Sequence, residues 1–329
     1  MRRSLLALAL AMPAAMAAAQ PELTVYTYDS FVSEWGPGPQ VEAKFEEICG
    51  CDLKFVAAGD GAALLSRLRL EGARSEADLV LGLDTNLTAE AVAAGLVAPH
   101  GLKADLDLPV AWDDPHFLPY DWGYFAFVYD AEKLQAPPAS FEALMDAPED
   151  LKIIIQDPRS STPGLGLLMW VKLLYGEKAG EAWARLKPHI VTVTKGWSEA
   201  YGMFLEGEAD MVLSYTTSPA YHLIAEGDAS KRAAAFAEGH YLQIEVAGKL
   251  AASDAPELAD AFLRFMLSED FQAVIPTTNW MYPAVMPEAG LPEGFEGLVK
   301  PAEALLVPAA EVPALREAAL AEWLAALSR

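Results

Sequence analysis

Three short turns, at residues 59–61, 160–164 and 194–198, each follow a predicted strand and precede a predicted helix. Small residues before a helix leave its first backbone N–H groups unpaired, and such groups bind anions. Helix capping explains any one of these turns without a ligand, since Ser161 or Thr162 can cap the helix that follows. Three turns of this kind in one chain favour an anion-handling cleft.

Aromatic side chains crowd the same predicted strand ends. Rings on strand-end loops are less easily absorbed into a core than rings on one face of a helix. Several ring faces suit a flat heteroaromatic ligand, and a cationic ring suits them best. Asp29 or Asp60 can supply the counter-charge. The aromatic residues are Tyr28, Trp35, Trp197, Tyr215, Tyr221 and Trp280.

Enzyme motifs are absent from the sequence, which has no Gly-x-Ser-x-Gly elbow, phosphate-binding loop, His-Glu-x-x-His or zinc-type cysteine pairing. The five histidines are scattered. Structural roles are favoured for the two histidines nearest the candidate cleft, His222 and His240. We therefore predict a protein that is not an enzyme, with no catalytic residue, no metal and no cofactor.

Strands and helices alternate along the chain and must position these turns. Short apolar runs predict strands at 23–28, 53–57, 78–83, 123–129, 152–156, 190–194, 211–215 and 241–246. Apolar stripes and capping residues predict helices at 39–48, 62–70, 164–175, 198–206, 256–267 and 312–327. Such alternation is typical of an α/β fold, in which helices flank a mostly parallel sheet.

Two α/β lobes are expected from the length of the chain, and no long linker divides it. The chain can cross between lobes near 120–123 and near 239–243, which would act as a two-strand hinge. We predict lobe 1 from residues 20–121 and 243–329, and lobe 2 from residues 122–242. A ligand would then lie in the cleft between the lobes.

Residues 1–19 predict a signal peptide. Arg2 and Arg3 precede an apolar run from Leu5 to Ala19, and small residues allow cleavage before Gln20. The run is too short to span a bilayer, so we predict a soluble periplasmic protein. The formal net charge of −24 opposes binding to nucleic acid or to anionic membranes.

The two cysteines, Cys49 and Cys51, are separated by a single glycine. An oxidising compartment permits a disulfide between them. So short a loop strains the bond and adds little closure entropy. A local disulfide and two free thiols are both compatible with the sequence, and the disulfide is slightly favoured.

Seven longer stretches carry a more specific signal. They lie at 23–31, 35–39, 156–159, 161–166, 193–202, 213–221 and 279–283. Together they resemble the bacterial thiamine-binding periplasmic proteins, which are the soluble subunits of thiamine ABC transporters. The resemblance covers nearly all of the chain after the predicted signal peptide.

The resemblance implies a type II periplasmic binding protein. Such a protein accepts thiamine, thiamine monophosphate and thiamine diphosphate and delivers them to the membrane permease of an ABC importer. A monomer is usual for this class. By position, the family's ligand site falls on Asp60, Gly61, Ser161, Thr162, Trp197, Tyr215, Thr216, Thr217 and Ser218. The aromatic argument adds Tyr28, Trp35, Tyr221 and Trp280.

The chemistry of these residues predicts their roles. The helix start at 161–162 and the Gly61 amide would receive the hydroxyethyl or phosphate end of the ligand. Trp197 and the segment 215–218 would close over it from the other lobe. The ligand's rings would be flanked by Tyr28, Tyr221 and Trp280.

Two other classes of function stay open at the level of sequence, namely binding of another ligand and catalysis. The same fold can bind ferric iron or a polyamine, but iron sites usually supply adjacent tyrosines, and Tyr215 and Tyr221 are not adjacent. A polyamine site would need several carboxylates around the aromatics. A thiaminase attacks thiamine with a cysteine, and neither Cys49 nor Cys51 lies on a ligand-facing turn.

Overall fold

The computed structural model describes residues 20–328, so the predicted signal peptide at 1–19 lies outside the described residues. The strands are β1 (Glu22–Thr27), β2 (Asp52–Ala57), β3 (Leu79–Asp84), β4 (Phe117–Asp130), β5 (Ile153–Gln156), β6 (Ile190–Thr194), β7 (Met211–Tyr215), β8 (Lys231–Ala233), β9 (His240–Lys249), β10 (Tyr282–Pro283) and β11 (Ala304–Leu305). Within residues 20–328, every helix is too short or too polar to cross a lipid bilayer.

The α-helices alternate with these strands through most of the chain. They are α1 (Gly38–Cys49), α2 (Gly61–Glu71), α3 (Thr88–Ala93), α4 (Phe141–Met145), α5 (Thr162–Tyr175), α6 (Ala179–Leu186), α7 (Trp197–Leu205), α8 (Pro219–Tyr221), α9 (Pro256–Met266), α10 (Glu269–Gln272), α11 (Ile275–Thr278) and α12 (Val312–Leu327). Every predicted strand and helix is present. The largest differences are that β4 begins at Phe117 and that β9 ends at Lys249.

The first half of the sheet is built around β1, which pairs parallel with both β2 and β3. Leu23 and Val25 point into one apolar core, and Tyr26 packs in another. Burial on both faces is expected for a parallel strand covered by helices. β3 then pairs antiparallel with β9, which gives the order β2-β1-β3-β9.

The long strands β4 and β9 run antiparallel through the middle of the sheet and connect its two halves. Residues 117–124 of β4 pair with β9, whereas residues 125–129 pair with β7. β4 therefore changes its partner between Tyr124 and Phe125, close to the predicted crossing at 120–123. The second half continues in the order β4-β7-β5-β6.

Helices pack on each half and form two α/β lobes. The C-terminal helix α12 packs against α5 and α6 of lobe 2, and Lys172 of α5 forms an ion pair with Glu322 of α12 at 2.7 Å. The division predicted from the sequence placed all of residues 243–329 in lobe 1. In the structure α12 lies on lobe 2. Its Trp323 side chain is buried in the same apolar core as the inward-facing residues of α5 and α6.

Cys49 and Cys51 form a disulfide at the end of α1, with their Cα atoms 5.1 Å apart. The sequence slightly favoured this bond over two free thiols, and the structure confirms it. Cys51 is fully buried in the core of lobe 1 together with Phe45 of α1 and Phe262 of α9.

Candidate functional site

A cavity of about 500 Å³ lies between the two lobes. Its volume is in the range of sites for small molecules and cofactors. Both lobes contribute to its walls. The predicted ligand-binding residues that line it are Tyr28, Trp35, Asp60, Thr162, Trp197, Tyr215, Ser218, Tyr221 and Trp280.

Four predicted residues do not line the cavity and lie behind its wall. The Gly61 amide donates a hydrogen bond to Thr162 Oγ1 at 3.0 Å, and this bond joins the two lobes. Ser161 is fully buried immediately before the first turn of α5. Thr216 and Thr217 are fully buried after the end of β7. These four residues support the wall from behind.

Aromatic rings from both lobes face each other at the cavity. Trp35 of lobe 1 lies 6.3 Å from Trp197 of lobe 2, measured between ring centroids. Trp197 stacks on Tyr201 at 5.1 Å, and Tyr221 meets Trp280 edge-on at 5.3 Å. Sequence reasoning missed Tyr201, because this residue lies within helix α7 and not on a strand-end loop.

Trp280 has a φ of 56° and is the one non-glycine residue with a positive φ between residues 20 and 328. This left-handed conformation costs an L-residue roughly 1–2 kcal/mol. Backbone strain of this kind is concentrated at functional sites. Since the Trp280 side chain lines the cavity, the strain favours a functional role for its ring.

Asp60 joins the two lobes through its carboxylate. Its Oδ2 accepts a hydrogen bond from the backbone amide of Trp197, the first residue of α7, at 3.1 Å. Burial raises the pKa of Asp60 to about 6, while the Ser161 hydroxyl and the Trp197 amide favour the charged carboxylate. The predicted anion-binding turn at 194–198 therefore already receives an acidic group, which belongs to the opposite lobe.

Asp121 and Glu245 form a buried carboxyl pair beside the cavity, and sequence reasoning missed both. They occupy paired positions on β4 and β9. Asp121 is fully buried, whereas Glu245 is 6% exposed and lines the cavity. The side-chain nitrogen of Asn279 donates to Asp121 Oδ2 at 2.5 Å and lies 3.4 Å from Glu245 Oε2.

Two phenols complete this carboxyl cluster. The hydroxyls of Tyr28 and Tyr120 each donate to Glu245 Oε2 at 3.1 Å. Burial raises the pKa of Glu245 to about 7, although its hydrogen bonds favour the charged form. Burial, and then the negative charge of Glu245, raise the pKa of Asp121 well above its usual range. An uncompensated pair of this kind retains a proton at neutral pH.

His222, Glu226 and Asp228 place possible metal-ligand atoms within 4.8 Å of one another. The His222 ring uses both nitrogens in the protein, since Nδ1 lies 2.6 Å from Glu226 Oε2 and Nε2 lies 2.9 Å from the Tyr201 hydroxyl. Asp228 forms an ion pair with Lys231 at 3.1 Å. These contacts account for the cluster without a metal ion. They hold the His222 ring in place, and His222 in turn supports the Tyr201 ring at the cavity.

Comparisons with known proteins agree with this architecture. The sequence profile of the family "Bacterial extracellular solute-binding protein" matches residues 33–273. The chain is 56% identical to the thiamine-binding periplasmic protein of Escherichia coli K12, over 94% of this chain and 95% of that protein. It is also 56% identical to the solved structure of a periplasmic thiamin binding protein, with a TM-score of 0.92 over 94% of this chain and 97% of that one.

A more distant structure supports the fold alone. The periplasmic binding protein AfuA from Actinobacillus pleuropneumoniae, solved with fructose-6-phosphate, is 16% identical to this chain. Its TM-score is 0.78, over 94% of this chain and 99% of that one. The two-lobed α/β architecture is thus shared at a level of identity that carries no information on the ligand.

Proposed function

Because this chain belongs to the bacterial extracellular solute-binding proteins and, among them, to the thiamine-binding periplasmic proteins, we propose that it captures thiamine and delivers it to an ABC importer. The family is a component of transport and not of catalysis, so the chain is not an enzyme. The observation that carries the ligand assignment is the cavity itself, whose walls combine facing aromatic rings with buried carboxyl groups.

Thiamine combines an aminopyrimidine with a positively charged thiazolium, and both rings are flat. Ring faces bind such groups by stacking and by attraction between the cation and the π-electrons. Trp35, Trp197, Tyr221 and Trp280 supply ring surface at the cavity. The carboxyl group of Glu245 supplies a counter-charge. A neutral or anionic sugar would not need this combination.

The proposal extends to the phosphate esters of thiamine. Thr162 lines the cavity at the first residue of α5, a helix of 14 residues whose N-terminal N–H groups favour an anion. Asp60 lines the cavity beside Ser161 and opposes additional negative charge there. We therefore expect thiamine and its monophosphate to bind more tightly than the diphosphate.

The alternatives left open by the sequence have less support. A thiaminase needs a free thiol at the ligand, whereas Cys49 and Cys51 are joined in a disulfide outside the cavity. A ferric site needs ionised phenols, and burial raises the pKa of Tyr215 well above its usual range. Titration with ferric citrate separates the ferric alternative from thiamine binding.

Calorimetric titration tests the proposed ligand. The protein without residues 1–19 is unfolded in denaturant without reductant, dialysed and refolded, which removes copurified ligand and keeps the disulfide. It is then titrated with thiamine, its mono- and diphosphate, spermidine and ferric citrate. We expect submicromolar binding of thiamine, which corresponds to more than about 8 kcal/mol. Tight binding of iron or spermidine with no heat from thiamine would contradict the proposal.

A matched pair of variants locates the site. Trp197→Ala removes a ring of the cavity, and Val191→Ala truncates a residue on β6 that is 45% exposed and outside the cavity. Loss of one stacking ring should weaken binding by roughly 1–3 kcal/mol. Val191→Ala should bind like the unmodified protein.

Export and assembly are further parts of the proposal. The signal peptide at 1–19 and cleavage before Gln20 stay predictions, which the mass of the protein recovered from a periplasmic extract can check. We expect a monomer by light scattering. Vesicle uptake of labelled thiamine by the cognate permease, dependent on added binding protein, would support the partner assignment.

A further inference from the structure

The carboxyl cluster beside the cavity has an excess of acidic groups. Glu245 and Asp121 occupy paired positions on β9 and β4, and the same side-chain nitrogen of Asn279 contacts both carboxyl groups. Asp121 Oδ1 is buried and has no hydrogen-bond partner among the described residues. The ion pairs found within residues 20–328 include neither carboxyl group. Two buried carboxylates without a cation are strongly disfavoured, so the pair needs a proton or a positive ligand.

The strand ends around the pair add further acidic or neutral groups. Tyr28 follows β1, Tyr120 precedes Asp121 on β4, and Tyr215 ends β7; burial raises the pKa of each phenol, so all three stay neutral. On β3, Asp84 pairs with Glu245 in the sheet register. Burial raises the pKa of Asp84 to about 7, while hydrogen bonds from Asn86 and the charge of Arg316 favour its ionised form.

The cluster also has a defined opening. Glu245, Tyr28 and Asn279 line the cavity, whereas Asp121 and Tyr120 lie behind them and do not. A ligand in the cavity can therefore reach Glu245, and Asp121 can act only through Glu245 or Asn279. Asp121 lies on β4 and Glu245 lies on β9, and these two strands connect the lobes.

We propose that Glu245, supported by Asp121, is the subsite for the positive charge of the ligand, and that Glu245 in the empty protein holds a proton which the cationic ligand displaces. This inference rests on the proposed function, since it assigns the thiazolium of thiamine to this end of the cavity. The displaced proton leaves the carboxyl group for solvent buffer. The incoming cation takes its place as the counter-charge, so the net charge of the cluster and its occupant is unchanged.

The proposal makes ligand binding depend on pH in one direction. Below the pKa of Glu245, which is about 7, a proton must leave before the cation binds. Affinity for thiamine should therefore fall as the pH is lowered from 8 to 6, by up to about tenfold per pH unit. Proton release should approach one per ligand at pH 6 and decline toward zero at pH 8.

Calorimetry on the refolded protein measures this release directly, by titrating thiamine at pH 6, 7 and 8 in pairs of buffers with different heats of ionisation. Phosphate buffer is avoided because the site could accept phosphate. Glu245→Gln keeps the shape and an acceptor for the two phenols but cannot release a proton. We expect it to abolish proton release and to weaken binding at pH 8 about ten- to a hundredfold, the range for a hydrogen bond to a charged group.

Two controls separate charge recognition from other causes. Glu257→Gln makes the same change in net charge at an exposed position of α9 and should leave affinity and proton release unchanged. An uncharged thiamine analogue, with a thiophene in place of the thiazolium, should bind without proton release. Its affinity should be less affected by Glu245→Gln than that of thiamine.

The outcomes distinguish this inference from the function on which it rests. Proton release that disappears in Glu245→Gln and with the uncharged analogue supports the subsite. Tight thiamine binding that is independent of pH and equal in Glu245→Gln would overturn the subsite while thiamine binding itself stands. Absence of thiamine binding at every pH would overturn the proposed function, and the subsite with it.

Discussion

The carboxylate of Asp60 accepts a hydrogen bond from the backbone amide of Trp197 at 3.1 Å, and the two residues belong to opposite lobes. The bond lies at the N-terminus of α7, where a negative charge is favourable. A second bond, from the Gly61 amide to Thr162 Oγ1, crosses the cleft beside it. These two bonds join the lobes at the predicted turns.

Asp60→Ala should weaken thiamine binding, because it removes one of these contacts from the closed form alone. We expect a loss of about 1.5–3 kcal/mol, the range for a hydrogen bond to a charged group. Asp29→Ala is the matched control, since Asp29 Oδ1 accepts from the Gly59 amide at 2.9 Å within lobe 1. Calorimetry compares the affinities, and equal losses in the two variants would count against a role for Asp60 in closure.

Trp280→Ala should lower affinity by roughly 1–3 kcal/mol, because the ring lines the cavity and packs edge-on against Tyr221. Trp280→Phe keeps an aromatic face and should retain most of the affinity. Titration of both variants with thiamine measures this. An unchanged affinity in Trp280→Ala would remove this ring from the proposed site.

The protein without ligand should unfold at a higher temperature at pH 6 than at pH 8. Burial raises the pKa values of Asp84 and Glu245 to about 7, from ordinary values of 3.8 and 4.5. The folded state therefore binds more protons than the unfolded state between about pH 4 and 7. This contribution is fully present below the unfolded values and is lost as the pH rises through 7.

Glu245→Gln should reduce this pH dependence, since it removes one of the titrating groups. The effect is on the order of 1 kcal/mol for each pH unit over which the folded and unfolded states differ by one proton. Thermal unfolding of both proteins at several pH values checks it. A melting temperature of the unmodified protein that rises from pH 6 to pH 8 would contradict this prediction.

The sequence predicted the elements around the cleft well because local patterns determine them. The turns at 59–61 and 194–198 follow short apolar strands and open helices, and both meet at the cleft. Strand β4 was predicted too short, since Pro119 resembles a strand breaker. In the structure Pro119 lies at a register shift between β4 and β9, where proline is tolerated.

The carboxyl pair could not be predicted in the same way. Asp121 and Glu245 are far apart in sequence, and they meet only through the antiparallel register of β4 and β9. One signal was available, because Gln243 and Glu245 alternate with buried apolar residues in β9. Polar side chains on one face of a fully buried strand indicate a site, but they do not identify their partner.

Replacing the cysteines should leave the ligand site unchanged. The Cys49–Cys51 disulfide closes a very short loop at the end of α1, and neither residue lines the cavity. So short a loop contributes little closure entropy. Cys49→Ser combined with Cys51→Ser should therefore retain thiamine affinity, measured by calorimetry. A loss of thiamine binding with an intact fold would connect the disulfide to the site.

Gly61→Ala tests lobe closure by adding a methyl group at the cleft, whereas Asp60→Ala removes a contact there. A Cβ at this position would lie 2.7 Å from Thr162 Oγ1 across the cleft and 2.8 Å from the Gly82 carbonyl oxygen. Both distances are too short, so the lobes should fail to close fully. Overpacking of this kind costs about 1–3 kcal/mol, and thiamine affinity should fall by a comparable amount.

The matched control for this prediction is Gly297→Ala, because nothing lies within 4 Å of a Cβ at that position. Small-angle scattering with and without thiamine reports compaction, and thermal unfolding reports the stability of the empty protein. A compaction lost in Gly61→Ala and retained in Gly297→Ala would show that the contact with Thr162 limits closure. Lower stability with normal compaction and affinity would place the clash at Gly82, which is within lobe 1, and would contradict the prediction.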